Sequence, residues 1–157
     1  MKTEKILVPT DFSRRSLAAL ERAIDLAREH YSEIVLVHVI EPLPYAAGSW
    51  SDSTQLLAHC AEDRRSQLAR LTKRAVALYP KCTSEVHFGI LHEAISELAR
   101  KLDVDLIVVA ARSHHGFFER IRVSLAERLL RHAPCPVLAV PVGGGVEKEN
   151  QAAARIN

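Results

Sequence analysis

The sequence predicts a single α/β domain: a doubly wound parallel sheet of five strands carrying four helices. Three observations lead there. Short β-branched runs alternate with longer segments in which apolar residues recur every three or four positions. The inner runs are apolar almost throughout, as strands covered on both faces are. Successive runs are joined by helix-like segments, which parallel pairing requires as crossovers. At 157 residues the chain suits one domain, and a domain of that size buries roughly 68–70% of its unfolded surface, enough for a core without staples.

The first strand covers Lys5 to Val8 and stops at Pro9. Asp11 and Ser13 open a helix whose inner stripe is Leu17, Leu20, Ile24 and Ala27, with charged residues between them, ending near His30. Ile34 to Ile40 is the second strand, with His38 inside it. Glu41 to Asp52 holds two prolines, a glycine, Tyr45 and the only tryptophan, Trp50, and reads as a long loop of the kind that carries function or motion. Helical character resumes at about Ser53 and runs to Leu78, with Leu57, Ala61, Leu68, Leu71, Ala75 and Leu78 inward and Pro80 as the stop.

Ser84 to Phe88 alternates and ends at Gly89, which describes a more exposed, outer strand. Leu91, Ile95, Leu98 and Leu102 mark the third helix, closing near Asp103, and Leu106 to Val109 is the fourth strand. Ala110 to Ser124 is then an irregular loop leading into a helix that carries Leu125, Leu129 and Leu130 and reaches His132. Val137 to Val140 is the last strand, bracketed by Pro136 and Pro141, and proline at both ends favours an edge. The domain is expected over residues 1–142, and Gly143 to Asn157 reads as a flexible tail without a core pattern.

Composition excludes several classes. A formal net charge of +2 gives no general case for nucleic acid or a membrane surface. Cys60, Cys82 and Cys135 are odd in number and widely spaced, so neither a disulfide framework nor a thiolate metal site is indicated. The N-terminal apolar run is too short for a signal-peptide core, no run approaches the ~18 residues of a membrane span, and the cytoplasm is the expected location.

The chemistry points to the carboxyl ends of the strands, where ligands of doubly wound sheets bind, at the switch point of the strand order. Asp11 and Ala110 both fall at that end. A buried strand, an irregular loop and a helix start offer free N–H groups to an anion. His114 and His115 diverge as neighbours and lack partners for a metal set, and no G-x-S-x-G turn supports a nucleophile. His38 and His87, inside strands, read as hydrogen-bonded structural histidines. Asp11 reads either as a helix-capping carboxylate or as a ligand contact. Phe117 and Phe118 read as packing residues and not as a nucleic-acid platform.

Several motifs carry a resemblance. The opening V-P-T-D-F-S, the second strand ending H-V, the stretch D-V-D-L-I-V-V and above all S-L-A-E-R-L-L-R-H-A-P-C-P-V-L-A-V-P resemble the universal stress protein family, over about Glu4 to Val142. The resemblance implies a Rossmann-like layout with strand order 3-2-1-4-5 and a homodimer paired through the last strand, here Val137 to Val140. Many members bind ATP through a loop of the form G-x-x-G-x9-G-[ST]; another branch lacks it and does not bind detectably. No catalytic reaction is common to the family.

Laid on this chain, that loop places its glycines at Ala110, Ser113 and Val123 and its hydroxyl at Ser124, so that only the hydroxyl is kept. The resemblance also implies that Asp11 faces the ribose or adenine and that Val39 flanks the base; Pro9, Thr10 and Leu125 adjoin these positions and complete the candidate nucleotide set with Arg112. Ala110 is a mild replacement, and Ser113 could donate its hydroxyl to a phosphate. Val123 is severe, because a β-branched residue resists positive φ and brings two methyls to the phosphate seat. Arg112, His114, His115, Arg120 and Arg122 leave a local positive excess against Glu119: solvated loop charges, or an altered anion site.

Two readings follow. The first is a stress-response regulatory or binding module without dedicated catalysis, binding ATP or AMP weakly or not at all. The second is a nucleotide-binding protein with slow ATP hydrolysis, using Arg112, Ser113 and Ser124 in place of the glycines. A further expectation is a protein partner at Trp50 and the loop around it.

Overall fold

The computed structural model describes residues 3–41, 50–111 and 124–141. The chain runs β1 (Lys5–Pro9), α1 (Arg14–His30), β2 (Glu33–Ile40), α2 (Trp50–Leu78), β3 (Cys82–Phe88), α3 (Leu91–Lys101), β4 (Leu106–Ala111), α4 (Leu125–His132) and β5 (Val137–Pro141). All pairings are parallel, in the order β3-β2-β1-β4-β5. The expected doubly wound sheet and its strand order are therefore the observed ones, with β3 and β5 at the edges.

The sheet is buried from both sides because its inner strands are apolar along nearly their whole length, with Lys5 and Glu33 at their starts and the buried His38 as the exceptions. Ile6, Val8, Ile34, Leu36 and Val108 pack against Leu20, Ile24 and Ala27 of α1 and Leu68, Leu71 and Ala75 of α2. The alternate residues Leu7, Val35, Val37, Ile107 and Val109 pack against Ile95 and Leu98 of α3 and Leu129 of α4. Alternation along each strand thus feeds two separate cores. Of the three leucines expected on α4, Leu129 is fully buried while Leu130, one residue further round the helix, is 63% exposed.

Three boundaries differ from expectation. Strand β4 runs to Ala111 and not to Val109, so Ala110 and Ala111, expected at the start of the irregular loop, are held in the sheet by pairing with Val140 and Pro141 of β5. Helix α2 begins at Trp50 and not near Ser53, so Trp50 to Asp52 belong to the helix; the mixed polar composition of its first turn hid the start. Strand β3 begins at Cys82, whose side chain is buried. The loop residues 42–49, the loop residues 112–123 and the tail from residue 142 lie outside the described residues. Among the described residues no helix is long and apolar enough to cross a membrane.

Candidate functional site

The order of the sheet reverses between β1 and β4: the chain proceeds from β1 through β2 to β3 on one side, then crosses to β4 and β5 on the other. At the carboxyl ends of these strands lies a cleft of about 660 Å³, within the range of roughly 300–1,000 Å³ usual for small-molecule sites. Its position is the one the topology dictates.

The wall below β1 is a turn held by a complete set of hydroxyl bonds. Thr10 N–H donates to the Val37 carbonyl at 2.8 Å, and His38 Nδ1 lies 2.8 Å from the Thr10 carbonyl. A carbonyl can only accept, so Nδ1 carries the proton and fixes the tautomer. Thr10 Oγ1 accepts from Phe12 N–H at 3.1 Å and sits 3.1 Å from Ser16 Oγ. Because the Ser16 hydroxyl donates to the Ser13 carbonyl, the Thr10 hydroxyl is the donor of that pair. Phe12 adopts φ 64°, the left-handed region, with its ring centroid 4.6 Å from that of His38 at a tilt of 35°, and the Arg64 guanidinium over the same ring at 6.0 Å from the centroid.

Asp11 follows from this turn. Its Oδ1 accepts from the Ser13 N–H at 3.0 Å and from the Ser13 hydroxyl, while Ser13 itself caps α1 by accepting from Ser16 N–H. Partial burial pushes the carboxyl pKa up, but the bonds from Ser13 outweigh it and hold the group below its ordinary value. The capping and ligand roles of Asp11 are compatible, since the bonds described engage Oδ1 and the side chain stays exposed.

The opposite wall is the start of α4. Ser124 is its N-cap in a reciprocal capping box: its hydroxyl accepts from Glu127 N–H at 3.2 Å, and Glu127 Oε2 accepts from Ser124 N–H at 2.8 Å. Ser124 is 9% exposed, and its hydroxyl proton has no acceptor among the described residues. The N–H groups of Leu125 and Ala126 at the first turn are likewise without a partner among those residues. The third helix start at the cleft is occupied: Leu91 N–H donates to Glu41 Oε1 at 3.1 Å.

Of the candidates read from sequence, Pro9, Thr10, Asp11, Val39, Ala110, Ser124 and Leu125 all line this cleft. Arg112, Ser113 and Val123 lie outside the described residues. The Thr10 hydroxyl is committed to the turn, so only its backbone side is open to a ligand. Sequence reasoning missed Arg15, Glu41, His92 and Arg128, which the fold also brings to the cleft. Arg15 and Arg128 each fall within the first turns of helices whose starts had been identified, and that position was the signal that could have found them. His38 is the hydrogen-bonded histidine expected, and His87 pairs with Glu85 at 2.9 Å. Among the described residues no group of three or more His, Cys, Asp or Glu side chains could hold a metal.

Comparison with known proteins agrees with the geometry. Residues 2–141 match the model of the universal stress protein family. A universal stress protein of Methanocaldococcus jannaschii is 34% identical over 141 residues, spanning 87% of this chain and 81% of the relative. The fold superposes on universal stress protein UspA from Lactobacillus plantarum with a TM-score of 0.75, at 23% identity, over 89% of this chain and 99% of that one. It also superposes on a universal stress protein solved in complex with cAMP, with a TM-score of 0.62, at 23% identity, over 89% and 98% of the two chains. The sheet order, a cleft at its switch point and a family match spanning nearly the whole described fold leave one assignment: the chain belongs to the universal stress protein family.

Proposed function

We propose that this universal stress protein is a cytoplasmic regulatory binding module of the stress response, without dedicated catalysis, whose cleft takes an adenine nucleotide and holds ATP weakly. The observation that carries the reading is the pairing, across one cleft at the switch point, of the Asp11 turn with the Ser124 helix start. The first supplies an exposed carboxylate for a ribose or base, and Val39 offers an apolar flank. The second supplies a hydroxyl proton and N–H groups that have no partner among the described residues, both suited to an anion. A fold relative solved with cAMP supports a nucleotide as the ligand class. Weak ATP binding rests on the sequence of the loop, where Ala110, Ser113 and Val123 stand at the glycine positions.

The same reading includes a homodimer formed through β5, an open edge within the chain. Isothermal titration with adenosine, AMP and Mg-ATP tests the ligand. Binding of AMP is expected, weakened about tenfold by Asp11→Ala, the loss of one charge-assisted contact, with Mg-ATP binding less tightly than AMP. Absence of binding by all three at millimolar concentration overturns the nucleotide reading. Micromolar Mg-ATP affinity that disappears in Ser124→Ala overturns the weak-ATP part and favours the hydrolytic alternative.

A further inference from the structure

Helix α1 carries two arginines at its positive end, just behind the Asp11 carboxylate that binds its N-cap Ser13. Its first turn holds no acidic residue, and Arg14 and Arg15 occupy the first two helical positions. The N-terminal end of a helix already carries roughly half a positive charge, so cations there are disfavoured. A sequence that sets local charge against the fold marks a place where something else is selected. Arg15 lines the cleft, is exposed, and makes no ion pair or side-chain hydrogen bond among the described residues.

Arg128 repeats the pattern from the other wall. It follows the first turn of α4, lines the same cleft, is exposed, and its guanidinium also lacks a described partner. Two carboxylates, Asp11 and Glu41, share the cleft, and neither forms an ion pair with an arginine among the described residues. Asp11 Oδ1 is engaged by Ser13, and Glu41 Oε1 accepts from Leu91 N–H at 3.1 Å. Ser124 lines the same cleft, nine-tenths buried, with its hydroxyl proton unassigned among the described residues. The cleft therefore gathers two helix starts, two guanidinium groups and a buried hydroxyl donor, each able to contact an anion, alongside the carboxylates of Asp11 and Glu41.

We propose that Arg15 and Arg128 clamp the phosphate of a nucleoside monophosphate through guanidinium contacts, in a chain whose sequence has Ala110, Ser113 and Val123 where the family's loop has glycines. This rests on the nucleotide reading above and names its charge class. A phosphate monoester carries about −1.5 to −2 at neutral pH, which two guanidiniums neutralise with bidentate geometry. A triphosphate brings further negative charge past this pair, and adenosine brings none.

The test compares AMP with adenosine on the intact protein by titration calorimetry. In the wild type, AMP binds at least tenfold more tightly than adenosine. Arg15→Gln and Arg128→Gln each reduce that ratio about tenfold, and Arg128→Lys retains part of it, since an ammonium keeps the charge but not the fork. A second readout separates a ligand role from a structural one. Without ligand, Arg15→Gln raises the thermal midpoint by about 1–3 °C, because it removes the clash with the helix dipole. Equal affinity of the wild type for AMP and adenosine overturns the clamp while leaving the nucleotide reading intact. Failure to bind either compound overturns both. A ratio unchanged in both glutamine variants overturns the clamp.

Discussion

Phe12 offers a measurement in which the sign alone is diagnostic. It sits at φ 64° between Asp11 and the α1 cap, without the glycine that this conformation favours. Left-handed backbone costs a side-chain-bearing residue roughly 1–2 kcal/mol. The cost is met by the ring, half-buried against the core and tilted against His38 with centroids 4.6 Å apart, and by the bond from its N–H to Thr10 Oγ1 at 3.1 Å. Phe12→Ala deletes the ring and keeps the strain. A fully buried phenylalanine loses about 3–5 kcal/mol on truncation, so this half-buried one loses about 2 kcal/mol. Phe12→Gly deletes the ring and relieves the strain, less the 0.5–1 kcal/mol or so that glycine loses through its greater unfolded freedom. The glycine variant is then expected to be more stable than the alanine variant by about 0.5–1 kcal/mol, a difference of a few degrees in the thermal midpoint for a domain of this size. At an ordinary position the order is reversed. Equilibrium urea unfolding followed by circular dichroism, with matched m-values, measures both. If the alanine variant equals or exceeds the glycine variant, Phe12 stores no left-handed strain and the account of the turn fails.

The capping box at α4 predicts that Ser124→Ala costs about 1 kcal/mol of stability, and that Ser124→Ala and Glu127→Ala are non-additive, since each removes an acceptor from the same reciprocal pair; a double-mutant cycle by urea unfolding checks this, and strict additivity contradicts it. Asp11 predicts a pH dependence. Its carboxyl is held below the ordinary value, so its contribution is present above the unfolded pKa and is lost as pH falls through the folded one. Unfolding midpoints measured from neutral pH down to about pH 3 are expected to show a flatter acid limb for Asp11→Asn than for the wild type; parallel limbs contradict the assignment.

The sequence by itself determined the sheet, its helices and most of the cleft. Apolar runs such as Ile34 to Ile40 are covered on both faces wherever they sit, and stripes such as Leu20, Ile24 and Ala27 have one face to bury, so period and hydrophobicity were enough to place them. Asp11 and Ser124 were legible for a related reason: a strand end and a helix start are local features, and topology brings them together at the switch point, whereas Val39 was named only through the family resemblance. What sequence left open was every property that depends on which neighbour a side chain meets. It could not say that the Thr10 hydroxyl is spent on Ser16, or that Glu41 would reach the start of α3. Nor could it say that Arg15 and Arg128, separated by most of the chain, would share one cleft with no described partner. Periodicity records the face a residue turns, whereas a charge acquires its meaning from distance, and distance between remote residues is fixed only when the sheet closes.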